Sequence, residues 1–487
     1  MEKNQLKHKA LNAVVWTSVQ KFITIFIQFI SGIILARLLS PDDYGCIGML
    51  SIFMVLAASF IDGGFGSALI QKKRPTQEDY STIFYWNLGL SVIIYFILYC
   101  AAPYIAEFYH LELLCSVLRV QGLVLIINAL NTVQVNQLNK QFRFKKISIV
   151  SLISVVVSLS ATIFMAYKGF GVWALVTQNL LMAAVPASIY WITNKWKPSL
   201  VFSVKSFKEL TAFGSYVLLT NLTNTLGTNV QGLIIGRIYT PAIMGFYSKA
   251  HNTERLASTT ISQILSQVSY PFYSEIQDDK KALTGAIKKF TLLVSFLTFP
   301  MMTLLILLAK PIFILLYSEK WLDAVPFFQI LCIAGLSVCL HSISRQSIAA
   351  IGKSKLMFQW AFFKQLMGFV LMMCGVYVWG MKGLLIGMVI KAWAIYFINA
   401  WMVSKHIGYK LSRQIADLCP VTVLSLVSMV ISYIVGSLSG CSLYIDAVIK
   451  FVVFVAVYLS GSHFIKMEAY LEAKHLAVNF VLKKFKK

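Results

Sequence analysis

Apolar stretches long enough to cross a membrane recur along almost the whole of this 487-residue chain. A spanning helix needs about 20 predominantly apolar residues, and fourteen stretches meet that length, from Leu11–Ala36 at the start to Leu443–Ile465 near the end. Composition sets the same solvent: 58% of the residues are hydrophobic and 13% charged, where a soluble domain carries about a quarter charged. The expected fold is an all-α polytopic membrane protein of about 14 transmembrane helices. Leu356–Val378 and Leu384–Ser404 read as separate spans, and the seventh and eighth stretches, Thr211–Gly236 and Ile243–Tyr270, are each polar along one side.

The chain also repeats itself. Residues 32–45 read GIILARLLSPDDYG and residues 232–245 read GLIIGRIYTPAIMG. In each copy an apolar helix ends at an arginine (Arg37, Arg237) and Ser40 or Thr240 stands where a helix N-cap belongs. Pro41 or Pro241 then takes the first helical turn, where its missing N–H costs nothing. Both copies are expected to be tight helix–turn–helix hairpins. A weaker echo pairs Tyr167–Ala174 with Trp379–Ile386, again a short hairpin; chance similarity among apolar segments is the competing reading. Six spans separate the first helix from the seventh, an even number, so the two copies start from the same side and the repeats are parallel. The expected domains are residues 1–200 and 201–410, two six-helix lobes around a central cavity, and residues 411–487, an accessory pair of helices with a basic tail.

Lysine and arginine collect in alternate loops, and positively charged loops stay on the cytoplasmic side. With the N-terminus inside, the inside loops hold Lys72, Lys73 and Arg74, then Lys140, Arg143, Lys145 and Lys146, then Lys280, Lys281, Lys288 and Lys289, and the chain ends in Lys483, Lys484, Phe485, Lys486 and Lys487. The outside turns carry mostly single basic residues such as Arg37 and Arg237. Both termini are therefore expected in the cytoplasm, and the net charge of +24 reads as anchoring beside anionic membrane lipids rather than nucleic-acid binding. The eight cysteines are scattered, with no spacing that suggests a metal. The first apolar stretch is too long for a signal-peptide core and reads as a retained first helix. No hydrophilic loop is long enough for a catalytic domain, so the chain is not expected to be an enzyme. Function is to be sought among the polar residues of the spans.

Those residues form stripes. The eighth span carries Ser248, Asn252, Arg255, Thr259, Ser262 and Ser266 at three- and four-residue intervals, with Lys249 and Gln263 alongside. The seventh offers Asn221, Asn224, Thr228 and Gln231, and the first Thr17, Lys21, Thr24, Gln28 and Ser31. A basic side chain at mid-membrane costs at least about 2.5–3.5 kcal/mol, so it is expected to face water, a partner or a substrate. Lys21, Lys249, Arg255, Lys364 and Lys391 stand in such positions while acids are few, which predicts a net positive cavity. Cations suit phosphate oxygens and amides suit hydroxyls, so the candidate cavity residues are Arg255, Lys249, Asn252, Lys21, Asn221, Asn224, Lys391 and Lys364. The structural alternative is snorkelling for Lys21 and Lys364, neutralisation of Arg255 by Glu254, and interhelical hydrogen bonding for the asparagines. His251 and His341 are weighed as proton-coupling groups against ordinary packing.

The chain resembles the polysaccharide-transport flippases of the multidrug/oligosaccharidyl-lipid/polysaccharide exporter superfamily. RLLSPDDYG (Arg37–Gly45), DGGFGSALIQ (Asp62–Gln71), GFYSKA (Gly245–Ala250), YPFYSEIQDD (Tyr270–Asp279) and EKW (Glu319–Trp321) carry the resemblance, which extends to about Ser404. It implies a bacterial inner-membrane protein that moves undecaprenyl-diphosphate-linked oligosaccharide from the cytoplasmic to the periplasmic leaflet for O-antigen, capsule or exopolysaccharide assembly. Alternating access between two lobes is the implied motion, with H+ or Na+ as coupling ion in some relatives, no other cofactor, and a polysaccharide polymerase and chain-length proteins as partners. The motifs are structural signatures at helix ends and transfer no list of site residues. Two other functions remain open at this point: an ion-coupled drug or small-molecule exporter of the same superfamily, which would prefer an acidic or aromatic cavity, and an intramembrane glycan polymerase or ligase, which would show a large periplasmic loop.

Overall fold

The structure, a computed structural model, describes residues 3–472 and 474; the basic tail at Lys483–Lys487 lies outside the described residues. Among them the chain is helical without strands. The helices of the first half are α1 (Lys3–Leu38), α2 (Pro41–Asp62), α3 (Phe65–Gln71), α4 (Gln77–Phe108), α5 (Leu113–Gln121), α6 (Leu123–Lys140), α7 (Phe144–Tyr167), α8 (Val172–Thr193) and α9 (Val204–Ile238). They are followed by α10 (Pro241–Glu275), α11 (Lys280–Leu307), α12 (Ala309–Tyr317), α13 (Ala324–Ala350), α14 (Ser354–His406), α15 (Leu411–Leu438) and α16 (Leu443–Phe464).

Eleven of the described stretches are long and apolar enough to cross a membrane. One of them, Phe363–His406, makes two passes. Its helix α14 loses helical geometry at Trp379 and Gly380, and Lys391 donates a 3.1 Å hydrogen bond to Gln365, 26 positions earlier. A straight helix would hold those residues about 39 Å apart, so α14 is an antiparallel hairpin and the two sequence stretches are separate spans. The seventh and eighth expected spans are α9 and α10, helices of 35 residues each whose polar faces keep them out of the apolar set. The chain is an all-α, multi-pass membrane protein.

Two compact units divide it, residues 1–245 and 246–487. In the first, α1 lies on α7 and α7 on α8, sealed by Leu35, Leu39, Val155, Leu159 and Leu175. A second core, Phe65, Leu69, Ile83, Phe84 and Val133, takes in Leu210 of α9. The first unit therefore runs past residue 200 and includes the helix that opens the second repeat. Lys72 ties the α3–α4 loop to that helix by pairing with Asp79 at 3.0 Å and Glu209 at 2.9 Å. Burial pushes the Lys72 ammonium down, but the hydrogen bonds to Glu209 and Asp79 outweigh it and hold the group above the ordinary lysine range. In the second unit, Leu292, Phe299, Leu340, Val421 and Phe454 join α11, α13, α15 and α16, and Tyr273, Ile287, Ile343 and Val403 form a further core.

Both repeated hairpins fold as their sequences require. Ser40 caps α2 through a reciprocal pair with Asp43: the Asp43 N–H donates to Ser40 Oγ at 3.2 Å and the Ser40 N–H to Asp43 Oδ2 at 2.8 Å. In the second copy the Ile243 N–H donates to Thr240 Oγ1 at 3.4 Å, and Ile243 cannot return the bond. The copies meet within the first unit. A Cβ on Gly45 would overlap the Pro241 carbonyl, and a Cβ on Gly245 would overlap the Pro41 carbonyl. Arg237 then donates to the Phe108 carbonyl, contacts His110 Nε2 at 2.7 Å and stacks over the Phe108 ring, pinning the end of α9 to the turn after α4.

The α15–α16 pair shows which solvent the outside of the fold expects. Ser425, Ser428 and Ser432 are buried and donate to the carbonyls of Val421, Leu424 and Ser428 one turn back, while Leu426, Val427, Val430, Tyr433 and Ile434 face outward. Small residues with internally satisfied hydroxyls let membrane helices approach, and large apolar ones meet the lipid.

Candidate functional site

A cavity of about 750 Å³ lies within the first unit, bounded by α2, α5, α6, α8 and α9. That size falls within the range of ligand pockets. Its apolar lining includes Ile47, Met54, Val55, Val124 and Met182. Against this stand four amides, each from a different helix: Gln121 at the end of α5, Asn128 on α6, Asn179 on α8 and Asn221 on α9. Ser51, Ser59, Thr225 and the carboxyl of Asp62 complete the polar lining. Ser59 and Thr225 hold α2 and α9 together at 3.5 Å between hydroxyls.

Two of these groups lack what ordinary packing would give them. Gln121 is 5% exposed and its Oε1 accepts no hydrogen bond from the described protein groups. Asp62 is the last residue of α2, its carboxylate accepting the Gly64 N–H. A negative charge at a helix C-terminus opposes the helix dipole. The lining thus carries amides and a carboxyl and, among the described residues, neither lysine nor arginine, so the positive character expected of the cavity is not the character of this one.

Of the eight residues singled out from sequence, Asn221 lines this cavity, and the side chain of Asn224 lies outside the described residues. Lys21 is exposed on α1, and Asn252 and Arg255 are exposed on α10. Three more lie in the second unit. Lys249 is 8% exposed, with its ammonium 4.1 Å from the centre of the Tyr317 ring and 5.7 Å from that of Trp321, a cation–π arrangement. The EKW motif thereby acquires a structural task, since Trp321 is fully buried against this helix. Lys364 donates to Asn399 Oδ1, and Asn399 pairs with His341 Nδ1. Lys391 bonds Gln365 across the α14 hairpin. Lower on α10 the stripe is interhelical: Ser266 meets Ser342 of α13 at 2.6 Å, and Ser262 donates to Cys339 at 3.5 Å. His251 stacks on Tyr247 at 5.5 Å.

Gln121, Asn128 and Asn179 were not singled out from sequence. Asn128 opens a polar run on α6 that continues with Asn131, Thr132, Gln134 and Asn136, and Asn179 follows Thr177 and Gln178 on α8; those runs were the signal the sequence offered, and the packing of four helices brings the amides together.

Membrane-crossing helices that gather amides and hydroxyls around an internal cavity define a multi-pass membrane protein with room for a polar ligand. Comparison with known proteins gives the particular family: the chain belongs to the polysaccharide biosynthesis protein family, whose model matches residues 34–326, in agreement with the resemblance carried by its motifs. It is 26% identical over 347 residues to the teichuronic acid biosynthesis protein TuaB of Bacillus subtilis (strain 168), covering 71% of this chain and 72% of that one. It is 22% identical over 441 residues to the lipopolysaccharide biosynthesis protein WzxC of Escherichia coli (strain K12), covering 88% of both. Among solved structures, the inward closed conformation of the lipid II flippase MurJ matches with a TM-score of 0.72 at 16% identity, over 93% of this chain and 99% of that one. An inward-facing multidrug resistance MATE family transporter matches at 0.63 and 17% identity, over 82% and 99%. At such identities these structures establish a shared fold.

Proposed function

We propose that this protein is a flippase that carries undecaprenyl-diphosphate-linked oligosaccharide from the cytoplasmic to the periplasmic leaflet of a bacterial inner membrane, with both termini in the cytoplasm. Alternating access is the motion that fits, and a polymerase and chain-length proteins would act on the delivered unit. The observation that carries the reading is the convergence of four amides from four helices on one cavity inside a lipid-facing fold, because hydroxyl-rich cargo needs polar partners while its lipid stays in the bilayer. Relatives named for teichuronic acid, lipopolysaccharide and lipid II support it. Arg255, exposed on the polar face of α10, is the cation assigned to the diphosphate. In a bacterium whose own flippase is deleted, the wild-type chain should restore surface glycan and Arg255→Ala should abolish it while remaining in the membrane; normal glycan in that variant contradicts the assignment.

The Asp62 carboxyl favours a second reading, export of small organic cations. Ion-dependent efflux of a cationic dye from vesicles, without glycan transfer, would select it.

A further inference from the structure

We infer that the cavity of the first unit is the subsite for the cargo's sugars, that it accepts non-acidic sugars, and that Asp62 is the residue that excludes acidic ones; the inference rests on the flippase reading. An amide offers two donors and a carbonyl acceptor, which matches the paired donor and acceptor character of neighbouring sugar hydroxyls. Gln121, Asn128, Asn179 and Asn221 present that chemistry from four directions. Met54 and Met182 provide apolar surface for the C–H faces of a ring.

The sign of the cavity decides which sugars. Uronate or phosphate entering it would lose hydration without gaining a cation, since the described lining holds neither lysine nor arginine. It would also meet the Asp62 carboxyl at the negative end of α2. Like charges brought together in a desolvated site reject a partner more effectively than missing contacts do. The cargo's diphosphate therefore sits outside this cavity, and the glycan portion that enters it is uncharged.

The test uses the purified full-length protein carrying Asn128→Cys, with alkylation of that cysteine followed by peptide mass spectrometry. A panel of neutral tetrasaccharides, a uronate-containing tetrasaccharide and inorganic pyrophosphate serve as probes. Neutral probes should slow alkylation several-fold and the two anions should not; Asp62→Asn should strengthen protection by the uronate probe roughly tenfold. Equal protection by uronate or pyrophosphate, or protection by none of the neutral probes, overturns the proposal. If Asp62→Asn fails to fold, the ranking of probes in the Asn128→Cys protein still decides. A cellular arm separates the two claims: export of neutral and uronate repeat units with equal efficiency leaves the flippase reading standing and removes the sugar preference, whereas export of neither removes the flippase reading and leaves the labelling to judge the cavity.

Discussion

Gly45 and Gly245 occupy the same place in the two copies of the repeat and answer the same demand, each lying against the backbone carbonyl of the other copy's proline. A side chain can often turn away from a clash, but a Cβ pressed against a backbone oxygen leaves separation of the helices as the remaining relief. Gly245→Ala should therefore cost about 1–3 kcal/mol, read as a lower melting temperature in detergent; an unchanged transition would show that the close approach is not kept in the membrane. The sequence displayed these glycines and their spacing, but their reason is a contact between segments far apart in the chain. The cavity amides were hidden differently. Asn128 begins a polar run on α6 and Asn179 follows Thr177 and Gln178 on α8, which reads as interhelical hydrogen bonding, and periodicity gives no hint that the two share a cavity with Asn221.

At the scale of elements, local chemistry was the most readable. The Ser40–Asp43 capping box, the prolines at the first turns and the break between the two arms of α14 all stand where turn chemistry places them. The weaker echo is real as geometry but shifted in register. Gly171 (φ 54°, ψ −129°) and Gly380 (φ 59°, ψ −136°) share a conformation that other residues avoid, and matching them moves the alignment three positions from the one that the letters suggest. Letter matching paired Gly171 with Gly383, whereas the turn is set by the glycine that reaches positive φ, Gly380. The serine stripe of α15 makes a separate prediction. Ser428→Leu would force a large side chain into a fully buried position on the packed side of α15, and such overpacking costs about 1–3 kcal/mol. Peptide-resolved hydrogen exchange should show α15 and α16 losing protection together; unaltered protection would mean that the position tolerates bulk.

For the molecule as a whole, the all-helical, multi-pass class followed from hydropathy alone, because lipid leaves the backbone little choice. Packing choices were less legible. α9 opens the second repeat in sequence yet packs along α2 and α3 in the first unit, and its polar face supplies Asn221 and Thr225 to the cavity there. A cavity bounded by Asp62 rather than by a cation is likewise a product of which helices meet, not of the overall excess of lysine and arginine. The functional claim built on that cavity is best tested on the isolated protein. Purified protein in vesicles, loaded on one leaflet with an undecaprenyl-diphosphate-linked oligosaccharide that carries a neutral glycan, would be followed by cleavage with a glycosidase confined to the other side. The expected result is glycan becoming cleavable at a protein-dependent rate, in vesicles that remain sealed. Glycan that stays protected, while the same vesicles expel a cationic dye, would contradict the account.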